Sequence, residues 1–206
     1  MSKETAHQLG TPISSLMAWL EIMKSHSKDD ELLAELEKDI VRLEKITERF
    51  SKIGSKPLLK KENIQGIVNR TIKYLKTRTS DKVNYVLNLP ADELIVPVNA
   101  ELFEWVIENV CKNAIDAIDG SGKISITISD HTQVVYIDIT DTGKGIPKSK
   151  YKTIFKPGYT TKERGWGLGL SLSKRIVEEY HDGRIFVNES EIGKGTKIRI
   201  VLKKNQ

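Results

Sequence analysis

The sequence predicts an α+β protein in two parts: a helical N-terminal segment, then a longer segment in which helices cover a mixed β-sheet. Three observations predict this. Apolar residues recur at alternating spacings of four and three over roughly the first fifty residues, which is typical of paired helices. The rest of the chain combines amphipathic helical stretches with short alternating stretches typical of strands. These strands come in adjacent pairs, which favours a mixed sheet over strict strand–helix alternation.

The N-terminal segment, residues 1–54, is predicted to form a helical hairpin. Its apolar seam consists of Leu9, Ile13, Leu16, Leu20 and Met23 on the first helix, and Leu33, Leu36, Ile40, Leu43, Thr47 and Phe50 on the second. Only the polar residues 25–30 separate the helices, and a short connection makes them antiparallel. Two helices cannot cover their own apolar stripes, so we expect two copies to pair as a four-helix bundle in a homodimer.

A linker at residues 54–57 leads to the second predicted domain, residues 58–206. Helices are predicted at 62–78, 100–118 and 170–180, and strands at 83–87, 94–96, 124–128, 134–139, 185–187 and 197–202. A glycine-rich stretch, residues 141–169, has neither periodicity and is predicted to be irregular. We therefore expect one layer of helices on a mixed sheet, interrupted by this irregular region.

Composition excludes several classes of protein. The 33 Lys and Arg and 28 Asp and Glu residues give a net charge of +5 that is spread over both signs, with no basic block that would indicate nucleic-acid binding. No stretch approaches the roughly 18 apolar residues needed to span a bilayer, and the N-terminus has no apolar signal core. A single cysteine, Cys111, excludes an internal disulfide and a cysteine-rich zinc site. We expect a cytoplasmic chain that itself contacts neither nucleic acid nor membrane, even if its parent protein is membrane-anchored.

Asn109 and Asn113 lie four residues apart and therefore share one face of the predicted helix 100–118. Side-chain amides on an otherwise apolar helix need hydrogen-bonding partners. Either they join this helix to neighbouring elements, or they present amide oxygens to Mg²⁺, a hard cation that takes few protein ligands when phosphates supply the rest.

Glycine-containing stretches border and follow the irregular region. Residues 141–145, Asp-Thr-Gly-Lys-Gly, form either a tight turn or a loop that approaches a flat ligand, with Asp141 accepting a hydrogen bond from an exocyclic amine. Residues 165–170 open a helix, where free N–H groups favour phosphate unless the stretch is a hinge. Lys162 is either a loop charge or a contact for a triphosphate, and Thr196 is placed to donate to a phosphate oxygen.

These motifs together resemble the N, G1, F, G2 and G3 boxes of sensor histidine kinases. In chain order they are Asn109-x-x-x-Asn113-Ala114, Asp141-x-Gly143-x-Gly145, Phe155, Gly165-x-Gly167-x-Gly169 and Gly193-x-Gly195-Thr196. Residues 6–12, Ala-His-Gln-Leu-Gly-Thr-Pro, resemble the H box on the first helix of that family's dimerisation domain. The resemblance implies a dimerisation and phosphotransfer hairpin, followed by an α/β-sandwich ATP-binding domain of the type shared with Hsp90, MutL and type II topoisomerases.

The resemblance also implies that the second domain binds ATP and Mg²⁺. Asn113 would be the metal ligand, Asn109 would support the metal or the phosphates, and Asp141 would read the adenine amine. Residues Thr160 to Gly169 would form a lid, and Phe155 would anchor its start. The remaining residues implied for the ATP site are Gly143, Gly145, Lys162, Gly165, Gly167, Leu168, Gly169 and Thr196.

Among four histidines, His7 is singled out because it lies outside the apolar seam and is expected to face solvent, where a neutral imidazole is nucleophilic. Pro12 has no backbone N–H to donate to the carbonyl of Gln8, and this predicts a kink in the helix beside His7. The resemblance implies that His7 is the phosphoacceptor and that Thr11 orients a water. Gln8 replaces the family's usual acidic residue and cannot act as a base. His181 lies near a predicted helix C-terminus, where the helix dipole favours a positively charged side chain.

We therefore expect an autophosphorylating histidine kinase core, the output end of a longer protein, which passes its phosphoryl group to an aspartate on a response-regulator receiver domain. It would also be able to dephosphorylate that regulator. Two alternatives stay open. One is a conformational switch of the same fold that binds and hydrolyses ATP, and the other is a dimer module that has lost catalysis, for which Gln8 is the argument.

Overall fold

The computed structural model divides the chain into two compact units, Met1–Pro57 and Leu58–Gln206. It describes residues 57–161 and 167–205, together with six residues of the N-terminal segment: Leu16, Trp19, Leu20, Met23, Leu33 and Ile40. His7, Gln8 and Thr11 lie outside the described residues, as do residues 162–166.

The six described residues of the first unit are all helical. Three of them form one buried apolar cluster: Leu20, Leu33 and Ile40. The other three, Leu16, Trp19 and Met23, are exposed by 45%, 63% and 41%. The seam predicted on the first helix is thus only partly buried within one chain.

The second unit is an α/β sandwich. Its elements are β1 (Lys60–Asn63), α1 (Ile64–Lys76), β2 (Val83–Asn88), β3 (Ile95–Val98), α2 (Ala100–Ala117), β4 (Gly122–Asp130), β5 (Val134–Asp141), 3₁₀ turns at Lys148–Lys150 and Thr153–Phe155, α3 (Gly169–Arg175) with a π-helical turn (Ile176–Tyr180), β6 (Arg184–Glu191) and β7 (Gly195–Lys203). The main sheet has the order β2-β4-β5-β7-β6. Its β2–β4 pair is parallel, and its other pairs are antiparallel. The predicted mixed sheet with helices is confirmed for this unit.

The core lies between the sheet and the helices. Every second residue of β4 and β5 is buried on the helix side: Ile124, Ile126, Ile128, Val135, Ile137 and Ile139. This alternation is the period of two that a half-buried strand requires. Helix α2, which carries the asparagine pair, packs against β4 and β5 and contributes two fully buried side chains, Phe103 and Ile107.

Asparagine caps set where two of the helices begin. Asn63 ends β1 and accepts a hydrogen bond from Gly66 N at 3.0 Å, so α1 starts two residues later than its apolar pattern predicts. Asn99 accepts from Leu102 N at 3.1 Å and caps α2, the longest described helix with 18 residues. No helix in the described part of the chain has both the length and the apolar character that crossing a bilayer requires.

His181 follows the π-helical turn and is buried, with 1% exposure. Asn99 N donates to its Nε2 at 3.0 Å, and its Nδ1 lies 2.8 Å from Ile176 O. A backbone N–H only donates and a carbonyl only accepts, so the ring is neutral with its proton on Nδ1. Burial lowers the pKa of this imidazole. The expectation of a cation at this helix end is therefore wrong, because the ring is packed inside the unit.

Candidate functional site

Helix α2 places two amides against the start of α3. Asn109 Nδ2 donates to Gly169 O and to Ser173 Oγ, each at 3.5 Å, and Asn113 Nδ2 donates to Asn109 O at 2.8 Å. A Cβ atom on Gly169 would lie 3.6 Å from Asn109 Oδ1 and 4.0 Å from Asn113 Nδ2. These bonds use the amide nitrogens, so a cation here would bind through amide oxygens, a type of donor that hard cations prefer.

Asp141 ends β5 as a buried carboxylate with 7% exposure. Its Oδ1 accepts a hydrogen bond from Gly143 N at 2.8 Å. Burial raises the pKa of this carboxyl, while backbone hydrogen bonds from Gly143 and Thr196 oppose the rise because they favour the charged form. The backbone thus fixes the orientation of this acceptor, which suits recognition of one donor on a flat ligand.

The loop after Asp141 requires glycine for steric reasons. A Cβ on Gly143 would lie 2.5 Å from Ala117 O. Gly145 has a φ of +73°, and a Cβ there would lie 2.1 Å from Glu191 O. Both distances are too short for any residue that has a Cβ. The two glycines therefore let this loop pack closely against protein backbone on two sides, at Ala117 and at Glu191.

Lys144 connects this loop to α2. Its N–H donates to Ala117 O at 2.9 Å, and its carbonyl accepts from Gly193 N at 2.9 Å. Ala117 lies one helical turn beyond Asn113. The loop of Asp141 and the asparagine pair are therefore attached to one helix, and the structure brings these predicted site residues into one region.

Ser190 joins three parts of this region, and nothing in its sequence context predicts that role. Its Oγ accepts from Ile146 N at 2.8 Å, donates to Gly195 O at 2.8 Å and lies 2.9 Å from Thr196 Oγ1. The strand register pairs Ser190 with Thr196, and Thr196 with Asp141. Only that register could have revealed Ser190. The hydroxyl of Thr196, expected at a phosphate, is thus held at the Asp141 end.

Phe155 and two glycines mark the ends of the predicted lid. Phe155 is buried, and Lys174 Nζ of α3 lies 6.0 Å from its ring centroid. Gly158 N donates to Gly167 O at 3.1 Å, and a Cβ on Gly167, whose φ is +62°, would lie 2.5 Å from Gly158 C. Gly158, just before the predicted lid, is therefore in contact with Gly167, near the end of the lid. Residues 162–166 of the predicted lid, among them Lys162 and Gly165, lie outside the described residues.

Cys111 lies between the two asparagines in sequence, but its thiol is fully buried. Burial raises the pKa of this thiol to about 12, which disfavours the reactive thiolate. Within residues 57–161 and 167–205, no three His, Cys, Asp or Glu side chains come together as a metal-binding group. The donors that α2 offers at this point are the amides of Asn109 and Asn113.

The sequence is similar to known proteins over nearly its whole length. A family model described as histidine kinase-, DNA gyrase B-, and HSP90-like ATPase matches residues 99–206, from the N-cap of α2 past Thr196. The chain is 34% identical over 208 residues to sporulation kinase E of Bacillus subtilis (strain 168). That match covers 96% of this chain and 27% of the relative, so the chain spans about a quarter of the relative's length.

The fold is also similar to solved structures. The catalytic domain of histidine kinase ThkA matches with a TM-score of 0.65 and 26% identity, over 71% of this chain and 95% of that one. Histidine kinase ThkA in complex with response regulator protein TrrA matches with a TM-score of 0.67 and 23% identity, over 98% of this chain and 60% of that one. At that lower identity the likeness concerns the fold alone.

Proposed function

Because the chain belongs to the family of histidine kinase-, DNA gyrase B- and HSP90-like ATPases, we propose that it is the catalytic core of an ATP-dependent protein histidine kinase. One observation carries the proposal: helix α2 holds Asn109 and Asn113 against the start of α3 and, one turn later, holds the loop of buried Asp141. One rigid element thus carries amide ligands for a metal–phosphate group and positions a hydrogen-bond acceptor for a base.

Adenine binds at Asp141. The carboxylate accepts a hydrogen bond from the exocyclic amine, a donor that distinguishes adenine from purines with a carbonyl at the same position. Hydrogen bonds from Gly143 and Thr196 already hold the carboxylate in place, so little ordering is left for the ligand to impose. The hydroxyls of Ser190 and Thr196 lie beside it, and Gly143 and Gly145 form the adjoining wall.

The triphosphate lies between α2 and the start of α3. Asn113 Oδ1 is the protein ligand of Mg²⁺, and Asn109 supports the metal or the phosphates; the closeness of both amides to Gly169 fits this assignment. Mg²⁺, when bound, neutralises charge on the phosphates. The lid contributes further contacts near the phosphates from Lys162, Gly165, Gly167, Leu168 and Gly169.

The γ-phosphoryl group is transferred to His7. A neutral imidazole nitrogen attacks phosphorus, the bond from phosphorus to the bridging oxygen breaks, and ADP leaves. The imidazole proton passes to solvent, since Gln8 cannot accept it as a base. The phosphoryl group then moves to an aspartate on the receiver domain of a response regulator. Thr11 orients the water that removes it again.

A homodimer carries His7 on a helical hairpin, residues 1–54. The exposed apolar side chains of Leu16, Trp19 and Met23 support this part of the proposal, because apolar clusters on a helical surface are usually covered by a partner. A second copy of the hairpin covers them and completes a four-helix bundle.

The experiment is incubation with γ-labelled ATP and Mg²⁺. We expect acid-labile, base-stable label on the wild type and on His26→Ala, and none on His7→Ala, because only His7 forms the phosphoramidate. His26→Ala is the matched control, because it removes an imidazole from the same predicted hairpin. Label that persists in His7→Ala would refute the phosphoacceptor, and ATP hydrolysis without label in the wild type would refute the kinase.

A further inference from the structure

The net charge of the second unit is concentrated in one segment. Residues 58–206 contain 24 Lys and Arg against 18 Asp and Glu, a net charge of +6. Residues 142–161, here called the lysine segment, contain five of those cations and no acidic residue, so this segment accounts for +5 of the net charge. The remainder of the unit has 19 cations against 18 acidic residues and is nearly balanced.

The five lysines of this segment are exposed: Lys144, Lys148, Lys150, Lys152 and Lys156. Lys150 Nζ lies 5.8 Å from the ring centroid of Tyr159. None forms an ion pair with a carboxylate of a described residue, whereas nine other cations in the same part of the chain do. Their positive field is thus not cancelled by a neighbouring acid.

The lysine segment runs along the candidate site. It begins directly after Asp141, and Tyr151 Oη donates to Ser190 O at 2.9 Å, which ties its middle to the Asp141 end. Gly158 N donates to Gly167 O at 3.1 Å, just before α3, which ties its later part to the asparagine end. The unpaired charges therefore border the site from one end to the other.

The amino-acid composition of the segment is more consistent with long-range electrostatic attraction of a ligand than with the docking of a macromolecule. Protein interfaces are depleted in lysine and enriched in aromatic residues and arginine. Nucleic-acid platforms need exposed aromatic rings, yet Phe155 is buried and Tyr151 is half-buried. None of the large exposed apolar side chains of the described residues lies within 142–161. A small polyanion is the ligand that such a surface attracts.

We propose that the lysine segment is an electrostatic funnel that speeds the capture of the triphosphate anion of ATP. The inference rests on the proposed function, because it takes ATP to bind between Asp141 and Asn113. Unpaired charges act over a Debye length of about 8–10 Å at ordinary salt concentrations, so the lysines need not touch the bound nucleotide. Charge of this kind changes the association rate more than the dissociation rate.

The test is stopped-flow tryptophan fluorescence on the full chain with MgATP and with neutral adenosine. The segment variant Lys148→Gln/Lys152→Gln/Lys156→Gln removes three charges outside the proposed contact residues. The matched control, Lys60→Gln/Lys61→Gln/Lys73→Gln, removes three exposed lysines of β1 and α1 that form no ion pair with a described residue. We expect the ATP association rate of the segment variant to fall about tenfold at low salt, within the range of electrostatic steering, and the difference to shrink at high salt.

In the segment variant, we expect the ATP dissociation rate and both adenosine rates to stay within about twofold of the wild type, because steering requires a charged ligand. In the control variant, we expect all rates to stay within the same range, because its lysines lie away from the site. An unchanged ATP association rate in the segment variant would overturn the funnel, even if phosphotransfer to a receiver domain slowed. An equal loss for adenosine or for the control variant would also overturn it. A wild type that binds no ATP would overturn the proposed function as well, which separates the two failures.

Discussion

His181 joins the end of α3 to the start of α2 as a neutral ring. Its Nε2 accepts from Asn99 N, its Nδ1 donates to Ile176 O, and its ring lies 6.0 Å from the ring of Phe103. Protonation would set an N–H donor on Nε2 against the N–H of Asn99 and would bury a charge. The histidine thus stabilises the contact between two site-bearing helices only while it is uncharged.

We predict that the free energy of unfolding decreases as the pH falls below about 6.5. Burial lowers the pKa of His181 in the folded chain, so below the unfolded value the unfolded state binds more protons. The loss is up to about 1.4 kcal/mol per pH unit, until the folded pKa is reached. Urea unfolding of the wild type and of His181→Gln, whose amide hydrogen-bonds without titrating, measures it. Identical pH slopes for the two proteins would contradict this role.

At the scale of elements, the turn between β6 and β7 sets the position of Asp141. Gly195 has a φ of +124°, and a Cβ there would lie 1.9 Å from Asp141 O. Gly193, in the same turn, has a φ of +80° but faces open space. Substituting Gly193 therefore tests only the cost of an unusual backbone conformation. Substituting Gly195 adds the cost of a steric clash beside the site.

We predict that Gly193→Ala lowers the free energy of unfolding by about 1–2 kcal/mol, the cost of a left-handed conformation. Gly195→Ala should cost a further 1–3 kcal/mol or so, because β7 must move away from β5. That movement displaces Asp141, so this variant alone should also lose ATP affinity. Chemical denaturation and calorimetry measure the two effects. Equal losses of stability and affinity in both variants would rule out the steric argument.

The elements that were predictable from the sequence are those with their own periodicity. Helix α2 begins at the predicted residue and ends one residue early, and strand β5 begins as predicted but runs two residues further, through Asp141. Strand β1 does not: Lys-Lys-Glu-Asn has no apolar alternation, and these residues become a strand only by pairing with β3. At the site, residue type and spacing predict Asn109, Asn113 and Asp141. The sequence does not predict Ser190, because only pairing of distant strands places it there.

At the scale of the whole molecule, the exposed apolar side chains of the first unit bear on assembly. Leu16 and Met23 lie on the predicted seam with buried Leu20, yet both are more than 40% exposed. Burying apolar surface of this kind contributes about 25 cal/mol per Å², so a second copy would gain free energy by covering it.

We predict that the chain sediments as a dimer and that Leu16→Glu/Met23→Glu shifts it to monomers, because charges cannot be buried in the shared core. ATP affinity should not change, since the second unit has its own core. The matched control is Leu58→Glu/Ile95→Glu, which adds two charges at exposed apolar positions of the second unit. A monomeric wild type, or a seam variant that stays dimeric, would be inconsistent with the bundle.

The proposed site holds adenine at Asp141 and the triphosphate at Asn113, and a comparison of ATP with inosine triphosphate by calorimetry tests this placement most directly. Inosine replaces the amine donor by a carbonyl acceptor, which faces the Asp141 carboxylate without a hydrogen bond. We expect the wild type to prefer ATP by at least about 100-fold. Asp141→Asn should abolish or reverse that preference, because its amide can donate to the carbonyl.

Asn113→Ala is the control in the same titration. It should weaken both nucleotides equally and reduce the dependence on Mg²⁺, while the preference for ATP remains, because the metal ligand lies away from the base. We expect these three results together. Equal binding of ATP and inosine triphosphate by the wild type, or an undiminished preference in Asp141→Asn, would contradict it.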